Sequence, residues 1–153
     1  MPPANAPKDL DSATAPDRLT SSMQALLALM VRLRDPKTGC PWDAVQTFET
    51  IAPYTIEEAY EVADAIQRGS LPHIREELGD LLFQVVFHAR MAEEQGAFDF
   101  ADVADALVAK MTERHPHVFG ARDGRTADQQ VDAWEAQKAA VRAAKGAGVL
   151  DDV

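Results

Sequence analysis

Two short acidic patterns hold most of the chemistry this 153-residue chain can offer: Glu57, Glu58 and Glu61, then Glu76, Glu77 and Asp80. Residues three or four apart share a helix face, so Glu58 with Glu61, and Glu77 with Asp80, each make a carboxylate pair pointing one way. If the two segments are antiparallel helices packed through Ile56, Ala59 and Ala63 against Leu78, Leu81 and Leu82, the pairs face each other, and Gly79 lets the backbones approach. Four converging carboxylates repel, and unpaired they would destabilise the fold or take up protons. A bound cation removes the conflict. Oxygen-only ligands suit a hard ion, so Mg²⁺ or Mn²⁺ is expected ahead of Zn²⁺.

The elements that must position these groups read as helices. Ser21 and Gln24 have capping-box spacing, and Met23, Leu26, Leu27, Met30 and Leu33 follow at helical spacing until Asp35-Pro36. Lys37 to Gln46 is loop by its Gly and Pro content. A second helix carries Ile56, Ala59, Tyr60, Ala63 and Ile66 and ends near Gly69; its start lies at Thr50, with Pro53 in the first turn, or at Thr55. The third opens at Ser70 and runs through Ile74, Leu78, Leu81, Leu82, Val85 and Ala89 to Gly96. Asp99 opens the fourth, which Pro116 follows, and Thr126 with Gln129 opens a fifth that fades at Lys145-Gly146. No stretch alternates with period two, so the expected fold is all-α, an antiparallel bundle of four to five helices. Residues 1–19, rich in Pro and poor in large apolar residues, read as a disordered tail, 20–145 as the helical domain and 146–153 as a flexible C-terminal tail. Phe83, Val86 and Phe87, apolar but off the main stripe of the third helix, suggest either deep burial or a surface shared between copies.

Composition excludes several functions. With 15 Lys+Arg against 25 Asp+Glu the formal charge is -10, the wrong sign for a general nucleic-acid footprint. More than half of that excess lies between Glu49 and Asp80, where eight acids meet two arginines. No apolar run approaches a membrane span and the N-terminus has no signal-peptide core, so no membrane partner and a cytoplasmic location are expected. The lone Cys40 rules out an intramolecular disulfide. His115 and His117, flanking Pro116, lack the third partner of a zinc site and read as a turn. A di-iron carboxylate bundle would need Glu three residues before His, which none of the four His has.

EEAYE at 57–61 followed by ELGD at 77–80 resembles the signature of the all-α nucleoside triphosphate pyrophosphohydrolases. The surrounding LRDPKTGCPWDAVQTFETIAPYTIEEAYEV, ELGDLLFQVVFHARMAEE and RHPHVFG resemble the MazG subfamily, and a single EExxE and ExxD resembles the first repeat of its two-repeat members. The resemblance implies Mg²⁺-dependent hydrolysis of a nucleoside triphosphate to monophosphate and pyrophosphate by a homodimer or higher homo-oligomer. It implies Glu58, Glu61, Glu77 and Asp80 as metal ligands, with Glu57 as an outer ligand or base and Glu61 beside it in catalysis. Lys110 and Arg114, four apart on one helix face, would contact phosphates. Trp134 and Lys138, also four apart, would meet base and phosphate, Trp134 having a plain core role as its alternative. Trp42 would line the nucleotide pocket or anchor its loop. The competing reading is a dimeric regulatory module that binds nucleotide without turning it over.

Overall fold

The computed structural model describes residues 15–121 and 123–146, and all regular structure among them is helical. The order is α1 (Ala15–Leu33), a 3-10 turn (Asp43–Val45), α2 (Phe48–Arg68), α3 (Leu71–Glu94), α4 (Phe100–Arg114), α5 (Pro116–Phe119) and α6 (Ala127–Lys145). The chain divides into two compact units, 1–100 and 101–153.

In the first unit α2 and α3 form an antiparallel hairpin across a two-residue link. Gly69 closes α2 in the left-handed region (φ 71) and Ser70 caps α3 by accepting from the His73 N–H, so the reversal is as tight as a helical hairpin permits. The α2 start differs from both expected positions. Thr47 is the N-cap: its hydroxyl accepts from Thr50 N–H at 3.3 Å while the Thr50 hydroxyl accepts from Thr47 N–H at 2.8 Å. A Thr in place of Glu or Gln at the third position does the reciprocal work of the box, which is why the sequence pattern hid it. Pro53 therefore falls inside the helix. Likewise α1 starts at Ala15, so Ser21 and Gln24 are interior and residues 15–19 are helix rather than tail; the remaining tail residues, 1–14, lie outside the described residues, as do 147–153.

The face that α2 and α3 turn inward is also only partly the one expected. Ile51, Thr55, Glu58, Val62 and Ala65 on α2, and Ile74, Glu77, Leu81, Gln84, His88 and Met91 on α3, are buried or half-buried and form one row on each helix. Each set follows alternating steps of three and four, the seam spacing of paired helices. Phe83, Val86 and Phe87 belong to a second buried face of α3, where Met30, Ile51, Val86, Phe87 and Met91 form the core with Leu26, Leu27, Phe48 and Phe100 against it. Of the stripes expected to be inward, Ile74, Leu81 and Ala89 do turn in, whereas Ile56, Tyr60, Ile66, Leu78, Leu82 and Val85 are exposed.

Arg34 pins the loop after α1 to the end of α3. Its guanidinium donates to Asp43 O at 2.7 Å and Gln46 O at 2.9 Å, pairs with Glu94 at 2.7 Å and lies 5.5 Å over the Phe87 ring. Gly39 completes that loop; a Cβ there would stand 2.4 Å from Leu33 O and 2.5 Å from Asp35 O.

The second unit, 101–153, is built around the ends of its helices. Thr126 and Gln129 form the expected capping box of α6. The H-P-H segment is the short helix α5 rather than a bare turn, and its His115 Nδ1 donates to Met111 O at 2.5 Å. Arg125 pairs with Asp123, whose carboxyl it holds down at about 2, and donates to Gln130 Oε1 at 3.1 Å.

Because Phe87 is wholly buried between Arg34, Phe83 and the α1 side chains, Phe87→Ala is expected to lower unfolding stability by about 3–5 kcal/mol. Thr47→Ala, which breaks the α2 box, is expected to lower it by about 1 kcal/mol. Urea denaturation of the two variants checks the order.

Candidate active site

The α2–α3 seam brings Glu58, Glu77 and Asp80 together, each offering a carboxylate oxygen within 4.8 Å of the others. Glu58 is the α2 seam position one heptad after Ile51, and Glu77 is the α3 seam position one heptad before Gln84, so the antiparallel packing itself aims both carboxylates at the same space. Asp80, one turn after Glu77, is exposed and closes the group from the solvent side.

These carboxylates are held against their own electrostatics. Burial raises the Glu58 carboxyl above the ordinary carboxylate range, and the charges of Asp80, Glu77, Glu57 and Glu61 add to the rise. Glu77 is raised for the same reasons: burial first, then Asp80, Glu61 and Glu76, and a hydrogen bond shared with Asp80. Among the described residues this is the one His, Cys, Asp or Glu group whose donor atoms converge in this way. The donor set is all oxygen and anionic, half shielded from water and open on one side. That fits a hard divalent ion that keeps waters in its shell. It does not fit a di-iron site, having no His.

Glu61 is exposed and outside the converging triad, although near enough for its charge to act on Glu58 and Glu77. Glu57 is exposed beside Glu58. The sequence reading left out Thr55, Gln84 and His88, polar residues that continue the same seam. The signal was available: polar residues at three- and four-residue spacing from Glu58 and Asp80, at positions where an ordinary helix pair has Leu or Val.

In the second unit an open cleft of about 850 Å³ is lined by Lys110, Glu113, Arg114, Glu135, Lys138, Val141, Arg142 and Lys145. Five cations against two acids make it the reverse of the chain's net charge. The structure thus groups Lys110, Arg114 and Lys138, with Lys138 within 3.3 Å of Glu135. Trp134 is not in that lining. Its indole N–H donates to Arg114 O at 2.9 Å and its ring meets His115 edge-on at 5.1 Å, so it fastens α6 to the end of α4. Its sequence alternative, the packing role, is the one its contacts describe. Trp42 packs edge-on against Tyr54 at 5.5 Å, which anchors the loop on α2 while leaving Trp42 47% and Tyr54 42% exposed.

The model of the MazG nucleotide pyrophosphohydrolase domain matches residues 46–119, a stretch that contains both acidic patterns, Lys110 and Arg114. This chain carries a MazG domain. It is 52% identical over 134 residues to the nucleoside triphosphate pyrophosphohydrolase of Escherichia coli (strain K12), covering 87% of this chain and 51% of that protein. It is 43% identical over 130 residues to the nucleoside triphosphate pyrophosphohydrolase/pyrophosphatase MazG of Thermotoga maritima, covering 85% and 49%. The crystal structure of a mazG-related protein from Thermotoga maritima matches it with a TM-score of 0.59 at 25% identity, over 75% of this chain and 97% of that one. The chain spans about half the length of the curated relatives it matches.

The raised carboxyls of the MazG seam set a testable pH dependence. A folded-state pKa above the unfolded value gives no penalty below about 4.5, where the carboxyl is protonated in both states, and a growing penalty as pH rises through the raised value. Glu58→Gln is therefore expected to raise the metal-free melting temperature at pH 7.5 and to leave it unchanged at pH 4. The same substitution is expected to abolish the upward melting shift that millimolar Mg²⁺ gives the unsubstituted protein at pH 7.5. Differential scanning fluorimetry with and without chelator measures both.

Proposed function

We propose that this MazG domain hydrolyses nucleoside triphosphates, ribo or deoxy, to the monophosphate and pyrophosphate with Mg²⁺, which Mn²⁺ can replace, as a cytoplasmic homo-oligomer serving nucleotide-pool sanitation or regulation. The observation that carries this reading is the convergence of Glu58, Glu77 and Asp80 inside the segment that matches the MazG family. The names of the Escherichia coli and Thermotoga maritima relatives support the same substrate class.

Glu58, Glu77 and Asp80 would hold the ion, with Glu61 at the open side completing the set. A divalent ion bound there supplies neutralisation of phosphoryl charge and a more acidic water. Glu57, exposed next to Glu58, would accept the proton of the attacking water. Lys110, Arg114 and Lys138 would balance the charge of the phosphate chain, and the half-exposed Trp42–Tyr54 pair offers an aromatic surface one helical turn before Glu58. No side-chain nucleophile is required, since phosphoryl transfer asks chiefly for positioning and charge stabilisation.

A panel of NTPs and dNTPs with a pyrophosphate readout tests the activity. Release of pyrophosphate is expected for at least one nucleotide, with a loss of roughly a hundredfold or more in Asp80→Asn and Glu61→Gln, and a higher KM with little change in Mg²⁺ requirement in Lys110→Ala. Mg²⁺-dependent nucleotide binding without turnover would replace the enzyme with a regulatory module.

The homo-oligomer rests on the outward stripe of α2 and α3. Ile56, Tyr60, Ile66, Leu78, Leu82 and Val85 are exposed apolar side chains at spacings that place them along one side of each helix, an arrangement that a second copy of the chain would cover. Sedimentation velocity is expected to show a dimer or larger species, and Ile56→Glu with Leu82→Glu is expected to dissociate it.

A further inference from the structure

The seam between α2 and α3 stays polar beyond the carboxylates. Thr55 precedes Glu58 by three residues on α2; Gln84 follows Asp80 by four on α3, and His88 follows Gln84 by four. The Thr55 hydroxyl lies at the centre, 3.2 Å from Gln84 Oε1, 3.0 Å from His88 Nε2 and 3.4 Å from Ile51 O. Gln84 Oε1 and Ile51 O both only accept and share the single Thr55 hydroxyl proton, the nearer being Gln84, so the His88 Nε2–H donates to Thr55. Gln84 is 6% exposed, and the His88 ring stacks on Phe48 at 5.7 Å with 2° between the planes. Three polar side chains from two helices thus occupy positions where apolar packing would stabilise the hairpin more, and each has a directed partner.

We propose that Thr55, Gln84 and His88 are positioning residues for the divalent-ion site: their hydrogen bonds fix the register of α2 against α3, and that register sets the separation of Glu58 from Glu77 and Asp80. The proposal rests on the reading that those carboxylates bind a divalent ion. Apolar side chains slide along a seam at small cost, because dispersion and burial are non-directional, whereas a hydroxyl shared between an amide and an imidazole tolerates little displacement. One turn away, that selectivity keeps three mutually repelling carboxylates within 4.8 Å when their charges would part the helices.

The test uses the near-isosteric change Thr55→Val, which removes the hydroxyl and keeps the volume. Mg²⁺ affinity, read by calorimetry and by the Mg²⁺-dependent melting shift, is expected to fall roughly tenfold. Turnover at saturating Mg²⁺ is expected to stay within about twofold of the unsubstituted protein. Thr55→Ser, which restores the hydroxyl, is expected to restore the affinity. The double variant Thr55→Val with Gln84→Leu removes both halves of the buried pair, so its melting temperature is expected to recover towards the parent while its Mg²⁺ affinity stays low. Met30→Ala, a core change remote from the seam, is expected to lower the melting temperature and leave Mg²⁺ affinity unchanged. Mg²⁺ affinity within twofold of the parent in Thr55→Val, or restored along with stability in the double variant, would make the network plain packing and overturn the proposal. If Thr55→Val does not fold, the double variant and Thr55→Ser carry the same comparison. Absence of Mg²⁺ binding by the unsubstituted protein is a separate outcome, and it overturns the ion site itself.

Discussion

Three carboxylates share one helix–helix seam, and most of the first unit's construction answers to that repulsion. Glu58 and Glu77 occupy positions that in an ordinary hairpin would hold Leu or Val. Their raised carboxyls record the penalty of burial first and of mutual charge second. Without something to hold them, the cheapest relaxation is to separate α2 from α3. The chain resists from both ends. Gly69 and Ser70 close one end in two residues, and at the other the Arg34 guanidinium ties Asp43, Gln46 and Glu94 together above Phe87.

The division of labour along α3 follows from the same constraint. Its C-terminal half carries the dense core, where Val86, Phe87, Ala89, Met91 and Ala92 are buried. Its N-terminal half carries the acids and exposes Leu71, Leu78 and Leu82. Stability is concentrated away from the carboxylates, and the polar set Thr55, Gln84 and His88 lies at the junction. A site built on two rigid helices anchored at one end can hold a fixed spacing at the other without relying on the repelling groups to pack.

The helices themselves were legible from local chemistry: the Thr126–Gln129 box, the Ser70 cap with Pro72, and the glycines at 69 and 146 mark ends that depend only on neighbouring residues. Which face turns inward was not. Apolar stripes compete on α2 and α3: on α2 the one with the larger side chains, through Ile56, Tyr60 and Ile66, is exposed, and on α3 Leu78, Leu82 and Val85 are exposed while Phe83, Val86 and Phe87 turn in. Hydrophobic periodicity measures amphipathicity, and an exposed apolar row has the same signature as a core face. The polar seam positions misled in the opposite sense: Thr55, Glu58, Glu77 and Gln84 look like solvent residues when read alone. The convergence of Glu58, Glu77 and Asp80 could be read from their spacing, because three- and four-residue steps fix which side chains share a helix face. Trp134 shows the limit, since an aromatic four residues from a lysine carries no sign that a backbone carbonyl twenty residues earlier claims its N–H.

The two anomalies of the hairpin have one thermodynamic consequence. A buried Leu-sized side chain contributes about 1.5–3 kcal/mol, and α2 and α3 give up several such contributions at the seam while leaving another apolar row in water. The isolated, metal-free first unit is therefore less stable than its helix content suggests. Whatever binds the folded state alone adds its binding free energy to stability. A cation among Glu58, Glu77 and Asp80 removes the repulsion at the seam, and a second chain over Ile56, Tyr60 and Leu82 removes the exposed apolar row. Both would act on the same pair of helices, so each would favour the register the other needs. Linkage would then couple a cation at the seam and a second chain on the outer row through α2 and α3, by the same free energy in both directions.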